Sequence, residues 1–313
     1  MKDLRIKGRI VATDISAASP AYHTADERFL VPSVGRMEYI PALLRIVREN
    51  DIGLLVPVTD LDLRSLARQR DKFAEQGCTV MIGSEQVVRC CRDKSRINEL
   101  LDAAGLPTIR TVMLKEFRRD PFYPCFVKPA RGSGGVGARI CENADELKAH
   151  LPTIGDRAIV QDVVRGREYT IDVYRSRDGE VRSVVPRQRL VVRSGEVEKG
   201  ITVNDPDLID ATVKLSGMLD ELWGVFCCQC RRDDGGPPRF FEINPRFGGG
   251  VLLSIQAGAN LPRYLIEELL EKRITAKLGE FTDRLMMMRY DEAVFTEVED
   301  PPSLPGYDTP QFR

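Results

Sequence analysis

The chain reads as an α/β protein, and three features of the sequence lead to that reading. Strand-like and helix-like segments alternate over roughly the first 88 residues, the pattern of a parallel sheet with helices on its faces. Two hairpin signals, Asp178-Gly179 and Gly235-Gly236, lie between runs of strand character in the second half. A length of 313 residues is enough for two domains, or for one domain with lobes, around a large core.

In chain order, RIVATDI (9–15) is a strand and MEYIPALLRIVREND (37–51) carries apolar residues at helical spacing. LLVPV (54–58) is a short buried strand with Pro57 near its end. LDLRSLARQRDKFAEQG (61–77) is a helix stopped by Gly77, and CTVMIG (78–83) is the next strand. MKDLRIKG at the start resembles the last turns of a helix with no strand before it. The first strand of this 1–88 unit is therefore expected to be missing, or to lie upstream of Met1.

Ser84 is an N-cap, and Gly105 with Pro107 ends the helical stretch that follows. TIRTVML (108–114) and YPCFVKPA (123–130) are strands. From residue 139 come a strand, the helix NADELKAHL, the strand AIVQDVV and the hairpin EYTIDVYRSRDGEVRSVVPRQRLVV (168–192). DPDLIDATVKLSGMLDELW is an amphipathic helix, GVFCCQCRRDDGGPPRFFEINP a second hairpin, and ANLPRYLIEELLEKRI a further helix. The proline-rich end, residues 291–313, is expected to be irregular.

Composition narrows the function. With 46 Lys and Arg against 47 Asp and Glu, no general surface for nucleic acid or an anionic membrane is expected. No apolar run approaches the roughly 20 residues that span a bilayer, and MKDLRIKGRIVATD lacks the core of a signal peptide. The expected compartment is the cytosol. Eight cysteines in so long a chain do not make a disulfide scaffold. Cys227, Cys228 and Cys230 have no second CxxC or histidine pair to complete a metal site, and sit in an apolar strand as buried thiols. Only two histidines are present, His23 in a polar loop and His150 near a helix end, which disfavours a histidine triad or a zinc hydrolase.

The stretch RFFEINPRFGGG (239–250) carries the first chemical hint. In a strand, Glu242 and Asn244 share one face, with Phe241 and Ile243 on the other. A carboxylate and an amide oxygen together are hard ligands suited to Mg²⁺. A solvated polar face on an edge strand would look the same. ARGSGGVGAR follows a strand and satisfies G-x-G-x-x-G at Gly132, Gly134 and Gly137, but a strand follows it where a dinucleotide fold needs a helix. Ala138 and Arg139 also rule out a phosphate loop of the Walker type. The loop is a hairpin tip, able to cover phosphates with its backbone amides or to be a simple surface turn. Lys128, held extended by Pro129, lies just before it, and Lys94 is a second candidate cation.

Together RDKSRINELLDAAGLPTIRT, FVKPARGSGGVGARI, IVQDVVRGREYTIDV, GVFCCQC and FFEINPRFGGG resemble the ATP-grasp superfamily, from about residue 90 to 285. The likeness is nearest to carbamoyl-phosphate-synthase-like carboxylate–amine ligases, including relatives of the pyrrolysine-pathway ligase. It implies a pre-ATP-grasp domain (1–88), a linker helix and small lobe (89–165), a large lobe with the metal site (166–290) and a tail (291–313). It implies ATP and Mg²⁺ as cofactors, with Mn²⁺ an acceptable substitute, and small-molecule carboxylate and amine substrates. A homodimer is compatible with it, and neither nucleic acid nor membrane is expected as a partner.

The resemblance also assigns residues. Lys94 and Lys128 hold phosphates, and Gly132, Ser133, Gly134, Gly135, Val136 and Gly137 close over them. Gln161, Asp162, Val163 and Val164 form the inter-lobe segment whose backbone reads adenine, and Glu168 binds ribose. Gln161 stands where many relatives carry Glu. Gln229, Glu242 and Asn244 are metal ligands, Gln229 replacing a common carboxylate. Arg246, with Lys128, is catalytic and steadies the acyl-phosphate region, while Gly248 to Gly250 let the chain run close to substrate. Asp60, Asp62 and Arg246 are candidate substrate-facing groups, with solvated loop carboxylates the more ordinary reading of the two aspartates. The expected reaction activates a carboxylate as an acyl phosphate and joins it to an amine. The alternatives are a carboxyphosphate-forming enzyme, or an ATP-binding subunit or sensor without turnover. An NAD-dependent oxidoreductase stands further off.

Overall fold

The computed structural model describes residues 6–93, 96–130, 137–155 and 158–297. They fall into two compact units, one from the described parts of 1–55, 68–80 and 290–313, the other from 56–67 and 81–289.

In the first unit β1 (Val11–Asp14), α1 (Pro20–Thr24), β2 (Glu27–Leu30), α2 (Tyr39–Glu49) and β3 (Leu54–Leu55) follow in order. α3 (Leu63–Ala74) spans the division, and β4 (Thr79–Val80) returns to the first unit. The ladders β1–β2 and β3–β4 are both parallel, as alternation of strand and helix requires. Helix α2 buries Tyr39, Leu43, Ile46 and Val47, the stripe expected of its apolar spacing. The polar segments around His23 and Glu27 carry α1 and β2, which the sequence left as loop because β2 alternates polar and apolar over only four residues.

The second unit begins with α4 (Glu85–Arg92) and α5 (Ile97–Ala103). The single helical stretch expected after Ser84 is thus two helices, with Asp93 leaving the helical region at the first C-cap (φ −102°, ψ 98°). Ser84 is the N-cap, its side chain accepting from the Val87 N–H. β5 (Thr111–Met113), α6 (Leu114–Phe117), β6 (Cys125–Pro129), β7 (Arg139–Cys141), α7 (Ala144–Ile154) and β8 (Ala158–Asp162) follow. Their strands form a four-stranded antiparallel sheet in the order β5-β8-β6-β7. Leu114, Phe117, Cys125, Val127, Leu147 and Val160 pack beneath it.

The rest of this unit is β9 (Arg167–Arg175), β10 (Val181–Arg193), β11 (Glu196–Thr202), α8 (Pro206–Gly217), β12 (Gly224–Arg232), β13 (Arg239–Asn244), α9 (Val251–Gln256), α10 (Leu261–Leu269) and β14 (Met286–Met288). These strands make an antiparallel sheet in the order β13-β12-β9-β10-β11-β14. Both hairpin turns lie where the glycines place them, with Gly179 at φ +86° and Gly235 at φ +76°. One face of the sheet is apolar: Ile171, Val173, Phe226, Cys228, Phe240 and Ile243 meet α4, α5 and α8 through residues such as Val87, Leu101, Leu208 and Leu215. The opposite face is left for polar side chains. Among the described residues no helix is long and apolar enough to cross a membrane.

The small and large sheets are joined by residues 163–166. Gly166 there has φ +93°, and a methyl group would run into the Arg232 carbonyl. Replacing Gly166 with Ala is expected to destabilise the fold by about 1–3 kcal/mol or more through backbone strain. A urea unfolding midpoint unchanged from wild type would contradict this.

Candidate active site

The polar face of the six-stranded sheet is built by register. Glu242 stands opposite Gln229, Gln229 opposite Thr170, Thr170 opposite Arg187, and Arg187 opposite Thr202. The next row is Asn244, Cys227, Asp172 and Val185. Opposed residues of antiparallel strands share a face. The ladder therefore sets Glu242, Asn244 and Gln229 side by side, away from the core that holds Ile243 and Cys228. Asn244 is buried, while Glu242 and Gln229 are half-buried.

One side chain departs from simple alternation. Between Gln229–Glu242 and Cys230–Phe240 the register slips by one, leaving Phe241 as the extra residue of a β-bulge. Phe240 takes the core position, and Phe241, expected on the face of Ile243, instead lies with its ring 5.6 Å from the Lys128 Nζ. Phe126 approaches the same Nζ at 5.5 Å, so the buried ammonium of β6 rests by two rings, one from each sheet. Phe126 and Phe241 were missed in the sequence because the bulge that turns Phe241 has no glycine to announce it.

The other expected residues divide. Gln161 is buried, and its Nε2 donates to the Thr111 Oγ1 at 2.8 Å, which commits the side chain within the small sheet. Asp162 closes β8, and Val163 and Val164 follow as half-buried coil. Glu168 is not a free carboxylate: Arg231 meets it at 2.6 Å and Arg189 at 3.2 Å. Arg189 is half-buried, and its buried Nε–H has no well-aligned acceptor. Gly137 has φ +73° and its carbonyl lies 2.9 Å from the His150 Nε2. Lys94 and Gly132, Ser133, Gly134, Gly135 and Val136 lie outside the described residues.

Arg246 and Asp60, both expected to face substrate, are each other's partner. The guanidinium donates to both carboxylate oxygens, at 3.0 and 2.6 Å. Asp62 accepts from the Thr59 hydroxyl at 3.2 Å. Burial disfavours the Arg246 charge, and the hydrogen bonds it donates to Asp60, together with the negative charge around it, more than offset this.

Beneath these groups lies a pair the sequence reading passed over. Asp172 and Arg187 are fully buried on neighbouring strands and joined at 2.7 and 3.0 Å, and the Ser254 hydroxyl of α9 donates to Asp172 at 2.6 Å. An Asp inside TIDV and an Arg inside VVPRQRLVV were the signal, because charges in apolar strands must pair when buried. Gly248 packs on Asp172, Cys227 and Arg187, and Gly250 on Arg187 and Val197. The glycines are thus required by protein side chains, where a close approach to substrate was expected. Burial pushes the Cys227 thiol up to about 12, so it stays protonated beside this pair.

The donor set Glu242, Asn244 and Gln229 offers one carboxylate and two amide oxygens. Among the described residues no three His, Cys, Asp or Glu side chains gather as a self-sufficient metal cage. Such a set fits Mg²⁺ shared with phosphate oxygens, the ordinary way that ion is held. Elsewhere in the same unit a cavity of about 620 Å³ is lined by Arg167, Tyr169, Gln188, Asn204, Asp205 and Arg232, and Glu242, Asn244, Gln229, Lys128 and Arg246 do not line it.

Comparison with known proteins adds to this geometry. A family model described as an ATP-grasp in the biosynthetic pathway with Ter operon matches residues 156–292, and the D-ala D-ala ligase C-terminus model matches 100–194. The chain belongs to the ATP-grasp superfamily. A PylC-like N-terminal domain model covers residues 1–81 ahead of the ATP-grasp part. A D-alanine–D-alanine ligase of Leptospira biflexa is 31% identical over 106 residues, 30% of this chain and 30% of the relative. A carbamoyl-phosphate synthase of Methanobrevibacter smithii is 24% identical over 155 residues, 47% of this chain and 41% of the relative. The chain thus spans less than half the length of these curated relatives. Among solved structures, the biotin carboxylase domain of Hydrogenobacter thermophilus 2-oxoglutarate carboxylase, in complex with MgADP, ADP and bicarbonate, shares the ATP-grasp fold. Its TM-score is 0.71 at 17% identity, over 91% of this chain and 69% of that one.

Removing Asp172 leaves the Arg187 charge buried and unpaired. Asp172→Ala is expected to cost about 3–5 kcal/mol of stability, read as a lowered urea midpoint. A midpoint near that of wild type would show that the pair does not carry the strand.

Proposed function

We propose that this ATP-grasp chain is an ATP- and Mg²⁺-dependent ligase that activates a carboxylate as an acyl phosphate and joins it to an amine. The observation that carries the reading is the polar row of Glu242, Gln229 and Asn244, with the Lys128 ammonium by the ring of neighbouring Phe241 and Arg246 two residues beyond Asn244 in the chain. Bound at this row, Mg²⁺ would neutralise charge on the transferred phosphoryl group, and Mn²⁺ fits the same oxygens.

The protein's own groups do the rest. Glu242 supplies the negative charge of the metal site, and Asn244 and Gln229 add neutral oxygens. Lys128, with Lys94, balances phosphate charge, and residues 132–137 exclude water that would hydrolyse an acyl phosphate. Phe126 and Phe241 offer flat apolar surface, and the backbone of residues 161–164 hydrogen-bonds the base. Arg246, held by Asp60, faces the acyl phosphate. Glu168, clasped by two arginines, reaches a ribose hydroxyl only through its remaining lone pairs. The divisions near residues 88, 165 and 290 belong to the same proposal. So does a cytosolic setting, which suits eight unpaired thiols.

Release of ADP and phosphate with a panel of amino acids and small carboxylic acids tests the reading, and failure to bind ATP with Mg²⁺ present would end it. One observation favours a second reading. Gln229, a neutral amide, weakens the metal site and suits a subunit that binds ATP without turnover. Tight binding with no ADP formed from any member of the panel would select it, whereas bicarbonate-dependent turnover without an amine would point to carboxyphosphate chemistry.

Glu242→Gln keeps shape and hydrogen bonding but removes the site's carboxylate charge. Turnover is expected to fall by roughly two or more orders of magnitude with the unfolding midpoint little changed. Glu180→Gln, in the exposed turn between β9 and β10, should leave turnover near normal. Full Mg²⁺-dependent activity in Glu242→Gln would return the row to a solvated strand face.

A further inference from the structure

Four acidic or thiol groups surround the guanidinium groups of Arg187 and Arg246, and three are already committed. Asp172 is locked to Arg187 and Ser254. Asp60 is locked to Arg246. The Cys227 thiol is buried within the sheet. The fourth is Glu196, the first residue of β11. It is exposed to solvent, and among the described residues its carboxylate makes no hydrogen bond or ion pair. Its oxygens lie directly over Gly249, where any side chain would displace them. Gly249 thus leaves room for this carboxylate, next to the glycines that pack on Arg187. Its charge is felt by both guanidinium groups.

We propose that Glu196 receives the amine substrate: it binds the incoming ammonium and takes the proton that must leave before nitrogen can attack. The inference rests on the ligase reading and names the group that reading leaves unassigned. Three physical points support it. A substrate ammonium needs a carboxylate without another cation bound to it, and Asp60 and Asp172 fail that condition. A proton acceptor must be within reach of the incoming amine, and Cys227 is buried whereas Glu196 is exposed. The acceptor must stand near the residue that faces the acyl phosphate, and Glu196 lies over Gly249, three residues along the chain from Arg246, which feels its charge.

The step balances without any further reagent. One N–H proton of the ammonium passes to Glu196. The freed nitrogen lone pair forms the N–C bond at the acyl carbon, and the carbon–oxygen bond to phosphate breaks with its electron pair going to phosphate. The second proton lost from nitrogen leaves with phosphate, and the Glu196 proton returns to water.

Hydroxylamine separates this role from the others, because it is already uncharged at neutral pH and needs neither an ammonium site nor a base. The experiment compares wild type, Glu196→Gln and Glu196→Asp with ATP, Mg²⁺ and the carboxylate panel. Hydroxylamine is one nucleophile, and ammonium or each standard amino acid is the other. For Glu196→Gln, hydroxamate formation should stay close to the wild-type rate while amide formation falls by about 10²-fold or more, and Glu196→Asp should recover part of that loss. Equal loss of both products would place Glu196 in the first half-reaction or in folding and overturn the proposal. Unchanged amide formation would overturn it as well, as would a wild type that makes hydroxamates but joins none of the amines. A wild type that makes no hydroxamate from any carboxylate would instead refute the ligase reading itself, and the role of Glu196 with it.

Discussion

The buried ion pair of Asp172 and Arg187 is the constraint around which the polar face is arranged. Two opposite charges, removed from water in neighbouring strands, hold their shape only with good geometry and further hydrogen bonds. The bidentate contact and the Ser254 hydroxyl provide that. Because the pair fills the centre of the sheet, the chain that crosses above it has no room for side chains, and Gly248 and Gly250 follow. Those glycines in turn bring α9 and Ser254 back onto Asp172. The glycine run and the charge pair therefore require one another.

The same sheet separates two kinds of work by face. On one side Ile171, Phe226, Cys228 and Ile243 lie under helices, and shape and volume decide what is tolerated. On the other, Glu242, Gln229, Thr170 and Arg187 form one row across four strands. A strand pleat makes this possible with a period of two, and the bulge at Phe241 turns outward a side chain the pleat would send inward.

Much of this was legible before any coordinates. The Asp178-Gly179 and Gly235-Gly236 turns, the Ser84 cap and the shared face of Glu242 and Asn244 rest on local rules of one to four residues, and such rules survive folding. What escaped depended on pairing between distant segments. Asp172 and Arg187 are 15 residues apart, and Asp60 and Arg246 are 186 apart. No periodicity signals either contact. Asp60 looked like a solvated loop carboxylate, because nothing in TDLDL shows that an arginine far along the chain will meet it. The short β2 and β14 escaped for a related reason, since strands of three or four residues are defined by their partners.

The link from Asp60 to Arg246 also bears on how the chain can be divided. The family model for the leading domain ends at residue 81, yet residues 56–67 fold with the ATP-grasp part. That segment brings in Leu63 and Leu66, both wholly buried, along with the carboxylate that holds Arg246. Homology boundaries and folding boundaries therefore differ here. Inheritance could exchange the leading domain as a cassette only if the newcomer brought an acid of its own to the same arginine. In that sense the segment matched by the leading-domain model and the segment matched by the ATP-grasp model share ownership of one residue's charge.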